Sequence, residues 1–86
     1  MERTEWSRES IGETVTLKIK EQLQLEQSVA PEDELAQYGM DSFASMSLVV
    51  AFETEFGIVF EDEELLFEHF ATVQDMVERI YGKLQP

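Results

Sequence analysis

Residues 39–57 read GMDSFASMSLVVAFETEFG, and this stretch decides the fold. Gly39 permits a backbone turn that other residues resist. Asp41 and Ser42 are both residue types that cap helix N-termini. The fourteen residues after them contain no glycine or proline, and Gly57 stands where a glycine C-cap is expected. The spacing predicts a helix over 42–56. At about 100° per residue its apolar positions fall into two groups. Leu48, Val49, Phe52 and Phe56 line one face, with Ser45 near its start. Phe43, Met46 and Val50 line another, rotated by roughly a third of a turn. One face must cover a core. The other either packs inside a small bundle or forms an exposed docking patch, with Glu53 on its rim; spacing leaves both open.

Outward from this helix, the pattern is helical throughout. Upstream, Ile11, Val15, Ile19 and Leu23 recur every four residues, which predicts a first helix beginning between Thr4 and Ser10 and stopping near Leu25. Ser10 and Glu13 have the spacing of a capping box. Residues 26–40 read as a long loop, interrupted by Pro31 and pinned by Val29, Leu35 and Tyr38. Downstream, Ile58, Val59 and Phe60 read as an extended apolar link. Asp62 then looks like the cap of a short third helix whose apolar contacts come from Leu65, Leu66, Phe67 and Phe70. Thr72 and Asp75 resemble a second capping box, ahead of an amphipathic stripe of Val73, Met76, Val77, Ile80 and Leu84. The expected fold is all-α: a small four-helix bundle of three longer helices and one short one, in a single domain over residues 1–86.

The 86 residues suit one small domain with little room for an enclosed catalytic pocket. There is no cysteine, so disulfides and thiolate metal sites are excluded. A protein of this composition that worked through a thiol would have to borrow it. No apolar run has membrane-spanning length, and the opening Met1-Glu2-Arg3-Thr4-Glu5 lacks the features of a signal peptide, so the cytoplasm is the expected location.

Charge is distributed unevenly. There are 19 acidic and 6 basic residues, a net charge of −13. Between Glu21 and Glu78 there are 15 acids and no lysine or arginine. Such a surface repels nucleic-acid phosphates and anionic lipid. It attracts basic patches on partner proteins, although acidity also serves solubility. The acids Glu61 to Glu64 lack the alternation and central glycine of a calcium loop. Ser42 has no evident base to activate it: the one histidine, His69, is far along the chain, and no hydrolase constellation is legible.

The segment Gly39-Met40-Asp41-Ser42-Phe43 resembles the G-x-D-S-L motif of acyl carrier proteins. The resemblance continues through Leu48 and Phe52, six and ten positions after the serine, and through Glu53-Thr54-Glu55-Phe56. It extends to Phe60-Glu61-Asp62-Glu63-Glu64 and the threonine-led Thr72-Val73-Gln74. It implies that Ser42 is the attachment point of a 4′-phosphopantetheine arm, transferred from coenzyme A by a phosphopantetheinyl transferase. The arm would hold an acyl or aminoacyl group as a thioester and present it to partner enzymes. The chain itself would not be an enzyme. Asp41, Phe43, Met46, Val50 and Glu53 are the candidate partner-binding residues. Ser7, Ser10, Ser28, Ser45 and Ser47 lack the Gly-x-Asp context.

Two departures point away from ordinary fatty-acid synthesis. Many family members are acidic two and five positions after the serine, where this chain has Ala44 and Ser47. The segment 63–72 is also longer than in fatty-acid carriers. The first sets the chain apart from the usual partners of fatty-acid synthase carriers, and the longer segment looks more like carriers of polyketide or nonribosomal-peptide assembly. There the expected partners are an AMP-forming acyl or aminoacyl ligase or an acyltransferase, followed by downstream synthase enzymes, with the carrier itself a monomer. The competing expectation is an unmodified acidic helical adaptor that docks a basic protein.

Overall fold

The computed structural model describes residues 6–65 and 70–85. Among these, three α-helices and two short 3₁₀ turns make an all-helical fold. Helix α1 is Arg8–Leu23, α2 is Ser42–Phe56 and α3 is Val73–Leu84. The 3₁₀ turns are Leu35–Tyr38 and Asp62–Glu64.

Helix α1 packs against both α2 and α3. Its four-residue stripe explains why: Ile11, Val15 and Ile19 are wholly buried. They meet Leu48, Val49, Phe52 and Phe56 of α2 and Val73, Met76, Val77 and Ile80 of α3 in one apolar cluster. Trp6 closes one end, its ring edge-on to Phe56 at 4.6 Å. Polar ties sit around this core. Arg8 Nε donates to Glu78 at 2.8 Å and its guanidinium lies 4.2 Å from the centre of the Tyr81 ring. Lys18 pairs with Glu55 at 3.4 Å, joining α1 to the end of α2.

The N-terminus of α1 differs from the expected one. Ser7, not Ser10, is the cap, and the capping box is the reciprocal pair Ser7 and Ser10. A hydroxyl at the third helical position reaches back as glutamate usually does, so Glu13 is not used. The helix stops at Leu23 because Gln24 turns left-handed, with φ 56°.

The long connection between α1 and α2 is held at intervals. The Leu35 N–H donates to the Ala71 carbonyl at 2.8 Å and the Gln74 N–H donates to the Pro31 carbonyl at 3.0 Å. These bonds hook the loop onto the start of α3. Within it, the Asp33 carboxylate accepts from the Tyr38 hydroxyl at 2.7 Å and from the Ala30 N–H at 3.1 Å. Both bonds favour the charged form, so the Asp33 carboxyl is held below its ordinary value. Leu35 is fully buried, and Val29 and Tyr38 pack against the core, as their pinning role requires.

After α2 the expected link is only partly apolar inside. Ile58 and Phe60 are buried while Val59, pointing the other way in extended chain, is 70% exposed. The short third helix is, over described residues, the single turn Asp62–Glu64, and its cap is Glu61 rather than Asp62. Glu64 bonds back to the Glu61 N–H at 2.7 Å and pairs with Lys83 of α3 at 2.7 Å. Leu66 and Phe67, expected in that helix, and His69 lie outside the described residues. Phe70 is buried with its ring 5.5 Å from that of Phe60. Among the described residues, no helix is long and apolar enough to cross a membrane.

Candidate functional site

Ser42 is placed by a short chain of local constraints. The turn Leu35–Tyr38 ends at Gly39, whose φ of 100° is open to glycine and strained for other residues. The Gly39 N–H donates to the Ala36 carbonyl and the Met40 N–H to the Leu35 carbonyl, both at 3.1 Å. Met40 is buried, which anchors the chain at that point. Asp41 is then extended and caps α2, its carboxylate accepting from the Ala44 N–H at 2.8 Å. Ser42 is therefore the first residue of α2, and it is exposed.

The electrostatics at Ser42 are mixed. The first-turn N–H groups of a helix lack intrahelical acceptors and present partial positive charge. Asp41 satisfies that of Ala44, leaving those of Ser42 and Phe43 without an acceptor in the helix. No lysine or arginine lies between residues 21 and 78 to add a cation from the surrounding chain. An anion joined to Ser42 would be supported by the helix end.

Beside Ser42 is a cleft of about 90 Å³, lined by Ser42, Ser45, Met46, Val49, Leu65 and Phe70. Ser45 stands one turn along α2 and is only 5% exposed. Its hydroxyl oxygen has no hydrogen-bond partner. The spacing correctly puts Ser45 on the core face, but the sequence gives no sign that its hydroxyl is unsatisfied. Leu65 and Phe70, which come from the far side of the cleft, were legible only as core contacts.

The second apolar group of α2 is outside the core. Phe43 is 79% exposed, Val50 60% and Met46 45%. Asp41, Phe43, Met46 and Val50 thus share the exposed side of α2 around Ser42. Glu53 is placed differently from a free rim residue. It is half-buried, and its carboxylate accepts from the Phe60 N–H at 2.9 Å, holding the chain that follows Gly57. A larger groove of about 670 Å³ runs between α1 and the start of α3, past Leu17, Pro31 and Val77, and shares no described lining residue with the Ser42 cleft.

A phosphopantetheine group fits these residues: an exposed hydroxyl at a helix start to carry it, and an unpartnered buried hydroxyl one turn away to meet its polar atoms. The family model described as phosphopantetheine attachment site matches residues 13–80. The chain is 38% identical over 80 residues to an acyl carrier protein of Thermotoga maritima, covering 91% of this chain and 96% of that protein. It is 37% identical over 76 residues to an acyl carrier protein of Thermosynechococcus vestitus, covering 86% and 91% of the two.

Proposed function

Because this chain belongs to the acyl carrier protein family, whose prosthetic group is 4′-phosphopantetheine, we propose that Ser42 bears that arm and that the chain presents thioester-bound cargo to visiting enzymes. The observation that carries the assignment to Ser42 is its position: exposed, first in α2 and directly behind the Asp41 cap.

In loading, the Ser42 Oγ forms a bond to the phosphorus of coenzyme A's pyrophosphate that carries the pantetheine. The bond from that phosphorus to the nucleotide breaks, and adenosine 3′,5′-bisphosphate leaves. The hydroxyl proton goes to a base of the phosphopantetheinyl transferase. Once attached, the arm supplies the thiol that this cysteine-free chain lacks. The helix start supports the phosphodiester, and the Asp41 carboxylate is kept beside it by its own bond to Ala44. The chain is a carrier rather than an enzyme, and acts as a single domain and a monomer in the cytoplasm.

The docking surface in this reading is Phe43, Met46 and Val50, with Asp41 at its edge and Glu53 acting mainly to hold that end of α2. Apolar anchors with little basic charge nearby suit partners whose own patches are apolar and basic. Ala44 and Ser47, where many family members are acidic, set the surface apart from that of ordinary fatty-acid carriers, and the longer segment 63–72 supports a setting in natural-product assembly of the polyketide or nonribosomal-peptide kind. The loading partner would be an AMP-forming acyl or aminoacyl ligase or an acyltransferase, with synthase enzymes downstream. The test is the intact mass after incubation with coenzyme A and a broad-specificity transferase. A gain of one phosphopantetheine in wild type and none in Ser42→Ala is expected. No gain in wild type, beside a control carrier that is modified, would leave the unmodified acidic adaptor as the better account.

A further inference from the structure

Helix α1 presents an apolar side chain that its core stripe does not explain. Ile11, Val15 and Ile19 face inward, while Leu17 is turned away from them and is 61% exposed. Leu17 borders the groove of about 670 Å³ between α1 and the start of α3. The wall on α1 is a continuous stripe from Arg8 through Gly12 and Thr16 to Lys20. These positions recur every four residues, so the groove follows the helix for about 18 Å. The opposite wall is Pro31 with Val73 and Val77. The bond from the Gln74 N–H to the Pro31 carbonyl, at 3.0 Å, holds that wall together.

Gly12 keeps the floor of the groove open. A glycine inside a helix is less favourable than alanine. The packing does not require one here, because a Cβ at Gly12 would meet Val77 Cγ2 at 3.8 Å, an ordinary contact. Its φ is not positive either. The missing side chain instead leaves room for an occupant to approach α1 closely.

The charges along the groove say what that occupant is. Arg8 is already engaged with Glu78 and the Tyr81 ring. Among the described residues, Glu9, Glu13 and Lys20 make no ion pair. The groove thus has two free carboxylates toward the N-terminal end of α1 and a free ammonium at the other end. A helix lying antiparallel to α1 satisfies both. Its first turn would bring an acid to Lys20, and its last turn would bring lysine or arginine to Glu9 and Glu13. Those are also the signs that its own dipole favours at its two ends. The net charge of −13 draws in a basic occupant and repels a second copy of the chain.

We propose that this groove docks a basic amphipathic helix of a partner protein, antiparallel to α1, with its apolar stripe seated over Gly12 against Leu17 and Val77. The groove shares no described lining residue with the Ser42 cleft, so a docked partner leaves Ser42 and the exposed side of α2 to visiting enzymes. Docking would station the carrier beside the enzymes it serves. Only that stationing role rests on the reading that Ser42 bears the arm; the binding itself does not need the arm.

The test titrates the full apo chain with a capped synthetic peptide of about four helical turns. The peptide has glutamate in its first turn, leucines at i, i+4 and i+7 on one face, lysines outnumbering the glutamate in its last turn, and alanine elsewhere. Amide NMR shifts locate where it binds. Shifts are expected at Gly12, Leu17, Val73 and Val77, with little change at Phe43, Met46 and Val50. Gly12→Leu fills the floor with a better helix former, so it should keep the urea midpoint and weaken binding at least roughly tenfold. Glu13→Lys should weaken it about threefold, through like charge at the peptide's lysines. Ser42→Ala should bind as wild type does. A peptide with the same leucines and glutamate in place of lysine should not bind.

No binding, shifts confined to α2, or equal binding of the glutamate peptide overturns the proposal. So does wild-type affinity in Gly12→Leu, or in Glu13→Lys should the leucine variant fail to fold. Shifts on α1 that grow with the chain's own concentration, without peptide, would give the groove to a second copy and overturn it too. None of these outcomes bears on Ser42 as the attachment point. A wild type that gains no phosphopantetheine would overturn the attachment reading and leave the peptide binding standing.

Discussion

The Asp41 carboxylate accepts a hydrogen bond from the Ala44 N–H at 2.8 Å, and this contact sets the first turn of α2. Because Asp41 is the cap, Ser42 is the first helical residue, with its side chain in solvent and the helix's unpaired N–H groups next to it. The same contact uses the Ala44 donor and leaves the N–H groups of Ser42 and Phe43 open to a phosphodiester at the attachment point.

Removing the cap should therefore cost stability and loading together. Asp41→Ala is expected to destabilise the domain by about 1 kcal/mol, the usual effect of losing a side-chain cap, while Asp41→Asn retains most of it. Urea midpoints of the three proteins check this. Transfer of the arm should slow in Asp41→Ala, because the frayed first turn no longer presents Ser42 in one geometry. Equal rates in all three would show that the transferase does not read the helix start.

Phe52 is fully buried where α2 faces the rest of the core, and its ring lies 6.2 Å from that of Phe56. Phe52→Ala should cost about 3–5 kcal/mol through lost burial and the cavity left behind. A domain of this size has little more than that to lose, so the variant should be partly unfolded at room temperature. Circular dichroism and a urea melt would show it.

The exposed side of α2 should behave oppositely. Met46 is 45% exposed, so Met46→Glu should leave helicity and the urea midpoint nearly unchanged, within about 0.5 kcal/mol. Arm transfer or cargo loading should nevertheless fall, because an apolar anchor has become a charge at the interface. Loss of fold would place this face in the core; unchanged loading would remove it from the docking surface.

Glu64 ties the turn Asp62–Glu64 to α3 through Lys83, with Arg79 farther off at 3.9 Å. The hydrogen bond from Lys83, then that from the Glu61 N–H, holds the Glu64 carboxyl below its ordinary value. A depressed carboxylate pKa contributes stability that is present above the unfolded value and lost as pH falls through the folded one. Wild type should thus exceed Glu64→Gln in stability at neutral pH, and the gap should narrow as acidification carries the pH below the ordinary glutamate range and through the lowered folded value. The difference between the two proteins is the quantity to follow, since acid also relieves the repulsion within a chain of net charge −13. A gap that does not change with pH would show that the carboxylate's charge is not what holds the turn.

Most of the fold could be read from the chain because its signals are local. The bounds of α2 follow from Asp41 and Gly57, and the stripes of α1 and α3 follow from apolar spacing. What could not be read depended on choices between near-equivalent groups or on tertiary contact. Ser7 and Ser10 cap each other although Ser10 and Glu13 have the more familiar pattern. Val59 is exposed between two buried neighbours because an extended chain alternates sides. The two faces of α2 were separable by periodicity, but only packing shows which one α1 covers. Glu53 seemed a rim charge until its bond to the Phe60 N–H gave it an internal task. The unsatisfied hydroxyl of Ser45 has no counterpart in any sequence pattern, since it depends on what Leu65 and Phe70 enclose.

The central claim is that Ser42 alone carries the arm. The most direct measurement is intact mass after incubation with coenzyme A and a phosphopantetheinyl transferase, followed by mapping of the modified peptide. Wild type should gain a single phosphopantetheine on Ser42, and Ser42→Ala should gain none although Ser45 and Ser47 remain close by. An unmodified wild type beside a modified control carrier, or a Ser42→Ala protein that still gains the group, would contradict it.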